Sequence, residues 1–274
     1  MHRNTRAYMK RNIMVWIAAL AIAACGNEGQ RTVTKAGSID LDSITVDTTV
    51  ALTDDADAPK AHIHLSMVYG KGDESKALNK TIVHAALIAP DYMGMLSDDV
   101  TVRQAVDSFV INYISDYLRD YAPLYRGDRE HRQSYESEFT CHCTVENNRD
   151  GIVSYIAHSN TYGGGEHSVS STIVKNIELK TGKILTLEDI FVPGYEQPLK
   201  DLIVEELCHR QDASSLTDLQ EKGFFSGIEP YATDNFVLGD GEIRFVYVDS
   251  EIAPHETGEI TVVLDDSKIK QLMK

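Results

Sequence analysis

The stretch IVSYIAHSNTYGGGEHSVSSTIVKNIEL, residues 152–179, places three consecutive glycines between two runs that are rich in β-branched and aromatic residues. Such runs are typical of β-strands. Glycine readily adopts the positive φ angles of tight turns and allows close approach of the backbone. The stretch therefore predicts two antiparallel strands, residues 151–161 and 168–179, joined by a hairpin loop that the glycines shape.

Similar patterns predict the other strands. The run HIHLSMVYG, residues 62–70, alternates Ile63, Leu65 and Met67 with other residues, and this period of two indicates a strand with one buried face. The remaining predicted strands are residues 134–146, 184–187, 235–238, 242–248 and 259–264.

Apolar residues that recur at three and four positions predict helices between these strands. The clearest helix spans residues 102–121; Thr101 and Gln104 predict a capping box at its start, and Pro123 predicts its end. Shorter helices are predicted within residues 74–89, 196–210, 215–222 and 265–274. Because helices interrupt runs of antiparallel strands, the predicted fold class is α+β, with antiparallel sheets packed against helices.

The first 25 residues are typical of an export signal. Four positive residues precede the uncharged run of residues 13–24, which is too short for an ordinary transmembrane helix. The run ends in Ile22-Ala23-Ala24-Cys25, which resembles a bacterial lipobox, so we expect cleavage after residue 24 and lipid attachment to Cys25. Gly26 follows where an aspartate would favour inner-membrane retention. We therefore expect an anchor in the outer membrane of a Gram-negative bacterium. The periplasmic face and the cell-surface face are both alternatives.

Residues 25–60 are rich in Thr, Ser and Asp and predict a flexible acidic linker that contains a weak strand over residues 44–52. The whole chain has a formal net charge of -16. Removal of residues 1–24 would leave 22 Lys and Arg against 42 Asp and Glu. This charge argues against nucleic acid as a partner, and it suits either a cationic partner or a simply soluble surface.

The metal-binding residue types do not form a recognisable site. Glu166-His167 lies between predicted strands and lacks the helical spacing of a zinc motif. Cys141-His142-Cys143 lies on a predicted strand, whose alternation sends the cysteines to one face and His142 to the other. His62 and His64 share a face and would need His84 or His158 as a further ligand. We therefore predict no metal and no cofactor; a disulfide from Cys141 or Cys143 to Cys208 remains open.

No motif predicts catalysis. The chain has no Gly-x-Ser-x-Gly elbow and no phosphate-binding glycine loop that opens a helix. A glycan hydrolase needs only two carboxylates at a suitable separation, and 42 acidic residues make that criterion uninformative. We therefore expect a binding protein rather than an enzyme, with a glycan hydrolase as the least favoured alternative.

Three stretches carry a resemblance to a known family. They are TYGGGEHS (residues 161–168), ELKTGKILTLEDIF (residues 178–191) and EIRFVYVDSEIAPHETGEITVVL (residues 242–264). In order and spacing they are similar to the motifs of the RsiV-like extracytoplasmic family, whose best-known member is a lysozyme-sensing anti-sigma factor and whose modules also accompany peptidoglycan deacetylases. The first stretch departs from the family pattern at Gly163, Glu166 and Ser168, and His255 stands where tyrosine is commoner.

The resemblance covers about residues 60–274 and implies two associated α+β subdomains, residues 61–150 and 151–274. It also implies partner binding through two loops. The candidate binding residues are those of the two family-like loops: Tyr162, Gly164, Gly165, His167, Pro254, His255 and Gly258. Because this chain has a lipoprotein signal in place of a membrane span, we do not expect it to control a sigma factor directly.

Two functional hypotheses follow. The first is a lipid-anchored envelope protein that binds another protein, with a basic lysozyme-type muramidase as the leading candidate and a decoy, inhibitor or sensor as its role. The charge of the chain suits such a partner. The second is a module that binds peptidoglycan or another carbohydrate.

Overall fold

The computed structural model describes residues 35–274, apart from the side chain of Asn148. These residues lie within one compact unit, residues 31–274. Among them, no helix is both long and apolar enough to cross a bilayer. The predicted signal peptide and Cys25 lie outside the described residues, so both stay predictions.

The first part of the chain forms a seven-stranded sheet whose strands lie in sequence order. Neighbouring strands are antiparallel except β3 and β4, which are parallel because two helices cross between them. The helices are α1 (Lys76–His84) and α2 (Val102–Gly127). The strands are β1 (Lys35–Ala36), β2 (Ile39–Ala51), β3 (Lys60–Gly70), β4 (Ser137–Arg149), β5 (Ile152–Tyr162), β6 (Val169–Glu178) and β7 (Ile184–Leu185).

The rest of the chain forms an antiparallel three-stranded sheet with its own helices. Its strands are β8 (Phe236–Leu238), β9 (Glu242–Tyr247) and β10 (Ile260–Asp265). Its helices are α3 (Leu187–Ile190), α4 (Glu196–Arg210), α5 (Leu216–Glu221) and α6 (Asp266–Ile269). The predicted α+β class, with largely antiparallel sheets packed against helices, is confirmed.

The first core lies between one face of the large sheet and helices α1 and α2. The predicted alternation in β3 is confirmed, because Ile63, Leu65 and Met67 are fully buried while His62 and His64 lie on the opposite face. Helix α2 contributes Phe109, whose ring lies 5.1 Å from that of Phe139 on β4. The capping box at the start of α2 is present as predicted.

A second core lies between the small sheet and helix α4. Leu199, Ile203 and Leu207, at helical spacing on α4, are fully buried against the inner face of the small sheet. The first core ends near residue 185 and the second begins at Leu187. The residues on either side of position 150, where a subdomain boundary was expected, form the β4–β5 hairpin. Both strands of this hairpin belong to the large sheet.

The linker expected over residues 25–60 needs correction where the structure describes it. Strand β2 has 13 residues and pairs with β3 from Leu41 to Ala51. It buries Ile39, Leu41, Ile44 and Val46, while its Asp, Ser and Thr side chains are exposed apart from the half-buried Thr48. The weak strand predicted over residues 44–52 is thus present and begins earlier, at Ile39. A strand with one solvated face needs few apolar residues, so its polar composition gave only a weak signal.

Helix α2 also runs past its predicted end. It continues through Pro123 to Gly127, although proline cannot donate the backbone hydrogen bond of a helix interior. Tyr117, Ala122 and Tyr125 are buried together in a small aromatic cluster. Packing of these residues therefore holds the last turns of the helix in place across the proline.

The small sheet packs on the outer face of the large sheet, opposite the helices. Ile156 and Val174 of the large sheet contact Val237 and Val246 of the small one. Polar side chains flank this contact. Asn176 donates to the carbonyl oxygen of Phe236 at 2.8 Å and accepts from the hydroxyl of Ser154 at 2.6 Å.

Asn235 completes the junction between the sheets. Its side chain accepts from the backbone N–H of Val174 at 2.6 Å and donates to the carbonyl oxygens of Thr172 and Val246 at 2.8 and 2.9 Å. One side chain thus joins β6 to β9. Within the described residues, every buried side-chain nitrogen and oxygen has a hydrogen-bond partner.

Replacement of Asn176 by alanine should destabilise the protein. The variant leaves the carbonyl oxygen of Phe236 and the hydroxyl of Ser154 buried without their partner, which should lower the free energy of unfolding by about 2 kcal/mol. Chemical denaturation of the fragment from residue 31 measures this change. Asn112→Ala is the control, because the side chain of Asn112 makes only a 3.4 Å bond to Ser108; an equal loss in both variants would contradict the prediction.

Candidate functional site

The two loops selected from sequence motifs lie against each other. The hairpin loop (residues 163–168) connects β5 to β6, and the β9–β10 loop (residues 248–259) leaves the small sheet. The ring centroids of His167 and His255 are 5.9 Å apart. Residues that are 88 positions apart in the chain therefore meet at one end of the molecule.

One of the three consecutive glycines is required by the backbone. Gly164 has a φ of 76°, and a Cβ atom there would lie 2.4 Å from the carbonyl oxygen of Ser134. Cβ atoms on Gly163 and Gly165 would meet nothing within 4 Å. The hairpin loop is therefore seated against the single helical turn Arg132–Tyr135 through Gly164, while Gly165 stays exposed.

The β9–β10 loop is held by its own carboxylates. Asp249 lies 2.7 Å from Nδ1 of His255, and this contact holds the pKa of the Asp249 carboxyl below its usual value. Glu251 accepts from the backbone N–H of Val248 at 2.7 Å. Gly258 has a φ of 69°, so glycine suits the return of the chain into β10.

A third segment, residues 223–234, packs along the β9–β10 loop. The backbone N–H of Phe225 donates to the carbonyl oxygen of Ile252 at 2.6 Å, and the hydroxyl of Tyr231 donates to Glu251 at 2.5 Å. Pro254 lies close to Gly223, where an added Cβ would come within 3.1 Å of it. Sequence reasoning missed this segment because no motif marks it. We call residues 163–168, 223–234 and 248–259 together the three-loop surface.

The three-loop surface is acidic and partly apolar. Its segments contain seven Asp and Glu residues and no Lys or Arg. Ile228 and Tyr231 expose 43% and 37% of their surface, and Val169, which directly follows the hairpin loop, exposes 69%. Apolar side chains surrounded by charge of one sign are suited to contact an oppositely charged protein.

A histidine-rich area of the large sheet lies at the same end of the molecule. We call His62, His64, His142 and His158 the histidine face; they share the outer face of β3, β4 and β5. His142 stands opposite His158 in the strand register. Burial, His158 and His64 together lower the pKa of His142.

Asp47 on β2 contacts two of these histidines. Its carboxylate oxygens lie 3.1 Å from Nε2 of His62 and 3.0 Å from Nδ1 of His64. The hydrogen bond with His64, followed by the one with His62, lowers the pKa of the Asp47 carboxyl. His84, which was considered as their further ligand, instead lies on α1 near Asp98. No motif in the sequence marks Asp47, which lies in the segment predicted as a linker with a weak strand.

The other metal-binding residue types are arranged as the strand pattern predicted. Cys141 and Cys143 are both buried, with their sulfur atoms 3.9 Å apart, and His142 lies on the opposite face. All three cysteines within residues 35–274 are free, and Cys208 packs against the second core. Within the described part of the chain, no group of three His, Cys, Asp or Glu side chains is arranged to hold a metal ion.

Two shallow clefts lie on the described surface. One, of about 460 Å³, is lined by Lys80, His84 and Asp98 of the first subdomain together with the turn at Thr181. The other, of about 320 Å³, lies between the start of α4 and residues 230–232, which belong to the three-loop surface.

Comparisons with known proteins find one matching family model and solved structures of similar fold. Residues 188–267 match the model of DUF3298, a protein of unknown function. This region includes the β9–β10 loop and residues 223–234 but not the hairpin loop. No curated protein matches the chain.

Two solved structures of DUF3298 family proteins are similar to this chain. One, from Bacteroides fragilis, has 23% identity and a TM-score of 0.77 over 87% of this chain and 95% of its own. The other, from Pseudomonas aeruginosa, has 14% identity and a TM-score of 0.59 over 85% of this chain and 94% of its own. These structural similarities show that the chain shares its fold with both proteins.

Replacement of Gly164 by alanine should displace the hairpin loop. The new Cβ would meet the carbonyl oxygen of Ser134, and alanine disfavours a φ of 76°. We expect a loss of about 1–3 kcal/mol in the free energy of unfolding and changed NMR shifts at His255. Gly165→Ala is the control, since its site is open; the prediction is wrong if both variants behave alike.

Proposed function

We propose that this chain is a lipid-anchored protein of the cell envelope that binds a basic protein through the three-loop surface. The leading candidate for the partner is a lysozyme-type muramidase, which the protein would sense, sequester or inhibit. The single observation that carries the proposal is the contact between His167 and His255, which joins the two loops selected from sequence into one surface.

Charge supports a basic partner. The three segments of the surface contain seven acidic residues and no Lys or Arg, in a chain with a formal net charge of -16. An acidic surface accelerates encounter with a cationic protein and repels anionic ones. Lysozymes are usually strongly basic, so they match this field.

Rigidity and exposed apolar groups support a protein interface. The hairpin loop is seated through Gly164, and the β9–β10 loop is held by Asp249 and Glu251. Little ordering entropy would therefore be lost on binding. Ile228 and Tyr231 offer exposed side chains of the kind that carry binding energy at interface centres.

The envelope location rests on the N-terminal sequence alone. Residues 1–24 resemble a signal peptide, and Cys25 follows a lipobox-like tripeptide. The motifs similar to the RsiV-like family point to the same compartment, because the outer domain of that family lies outside the cytoplasm. The proposal includes both the periplasmic face and the cell-surface face of the outer membrane as alternatives.

Binding to a basic lysozyme should depend on charge at the β9–β10 loop. Glu256→Lys should weaken binding roughly tenfold at low ionic strength, and the effect should vanish at about 1 M salt, where charges are screened within a few ångströms. Calorimetric titration of the fragment from residue 31 measures both affinities.

Glu74→Lys is the matched control. It makes the same change of charge beyond the far end of β3, about 30 Å along the strand from the hairpin loop. Equal weakening by the two variants would mean that only net charge matters. The proposal fails if wild-type protein does not bind lysozyme at low ionic strength.

A second candidate function, carbohydrate binding, is favoured by the cleft beside α4. The ring of Tyr231 is held edge-on against Phe225 and Tyr247, and Gln197 and Lys200 offer polar groups across the cleft. A fixed aromatic ring beside hydrogen-bonding groups suits a sugar ring.

Carbohydrate binding should persist when charges are screened. If this candidate is right, the protein should sediment with purified sacculi at about 1 M salt, and Tyr231→Ala should abolish that sedimentation. Tyr69→Ala serves as a control, because Tyr69 is a half-buried tyrosine on β3. Sedimentation that disappears with salt, or that survives Tyr231→Ala, would exclude this candidate.

A further inference from the structure

Histidines are concentrated around the proposed binding surface. Of the nine histidines within residues 35–274, six lie on the outer face of the large sheet or on the contacting loops. Four form the histidine face on β3, β4 and β5, and two lie on the contacting loops. The six are His62, His64, His142, His158, His167 and His255.

The strand register explains why the four sheet histidines lie together. His64 on β3, Thr140 on β4 and Asn160 on β5 form one cross-strand row, and the next row contains His142 and His158. The side chain of Asn160 donates to Ser168 and Ser170 at the base of the hairpin loop. The histidine face therefore adjoins the three-loop surface through β5.

The groups that face these histidines are carboxylates, hydroxyls and other imidazoles. Asp47 contacts His62 and His64, and Glu138 stands opposite His62 in the register. Asp249 contacts His255. The remaining neighbours are His158 and His64 for His142, Thr172 for His158, and His255 for His167.

Imidazole is the side chain whose ordinary pKa, about 6.5, brings a charge change close to neutral pH. A protonated imidazole carries one positive charge and a neutral one carries none. Protonation of histidines at this end therefore adds positive charge beside the seven acidic residues of the three-loop surface and beside Asp47 and Glu138.

We propose that this end of the molecule is a pH-responsive binding surface, which holds a basic protein near neutral pH and releases it as the histidines become protonated. This inference rests on the proposed function. It adds the histidine face, of which the strand pattern indicated His62 and His64, to the surface that the partner contacts.

The direction follows from linkage. A bound cationic protein opposes protonation of nearby imidazoles, so their pKa values are lower in the complex than in the free protein. The binding contribution is therefore fully present above the ordinary histidine pKa and is lost as the pH falls through it. Asp and Glu titrate at lower pH and make only a minor contribution in this range.

Affinity for a basic lysozyme should fall roughly tenfold between about pH 7.5 and about pH 5.5 at low ionic strength. The variant with His62, His64, His142 and His158 all replaced by Asn should show a much smaller pH effect, with the remainder due to His167 and His255 on the loops. His84→Asn should retain the full pH effect, because His84 lies on α1, on the opposite side of the sheet. Thermal unfolding at neutral pH checks that each variant is folded.

Two further measurements separate this inference from the proposed function. NMR titration of the wild-type histidines should show lower pKa values in the complex than in the free protein. A lysine homopolymer replaces lysozyme in a second series. If lysozyme does not bind but the homopolymer shows the pH effect and the fourfold variant largely removes it, the lysozyme proposal fails and the pH-responsive surface stands. An equal pH effect in wild type and in the fourfold variant overturns the inference.

Discussion

The structure depends on how the small sheet is joined to the large one. Asn176 and Asn235 connect β6 to β8 and β9 through hydrogen bonds of 2.6 to 2.9 Å, and apolar residues fill the space beside them. The hairpin loop extends from the large sheet and the β9–β10 loop from the small one. Their contact therefore exists only in this register, since a shift by one residue would turn each strand's side chains to the opposite face.

The same end of the molecule combines two kinds of charge control. Carboxylates on the loops hold the backbone and give the surface its field, as the bonds of Asp249 and Glu251 show. Histidines, rather than lysines or arginines, lie among these carboxylates. A lysine or arginine would add a positive charge at every physiological pH and would weaken the negative field of the surface. The rings of His62 and His64 lie within hydrogen-bond distance of Asp47, and imidazole can donate a hydrogen bond without carrying a fixed positive charge. The proposed binding of the partner and its proposed release thus depend on the same group of side chains.

Much of the fold could be predicted from periodicity, and the failures have physical causes. Helix α4 and the alternation of β3 were predicted because their buried faces repeat at the periods of helix and strand. Strand β2 was predicted only as a weak strand over residues 44–52, because half of a one-sided strand is polar. The end of α2 was misplaced because tertiary packing overrides a proline signal. The parallel pairing of β3 and β4 was also missed, since it joins segments separated by two helices.

The site could be predicted only in part, for a related reason. The loop motifs marked His167 and His255, but nothing local shows that they meet. Residues 223–234 and Asp47 carry no motif and become visible only through the partners that the fold gives them. Partner identity is one level further removed, because it depends on the surface of a second molecule.

The short first strand has a consequence for self-association. Strand β1 covers only Ile39 and Asp40 of β2, so within the described residues the backbone of β2 from Leu41 to Ala51 is an open sheet edge. Open edges of this length are templates for intermolecular strand pairing and aggregation. Asp42, with its partner Lys71, and Asp47 place charged side chains along this edge, and charged edge residues disfavour pairing with a second copy. The acidic residues that gave this segment the composition of a linker would therefore also protect the edge from self-association.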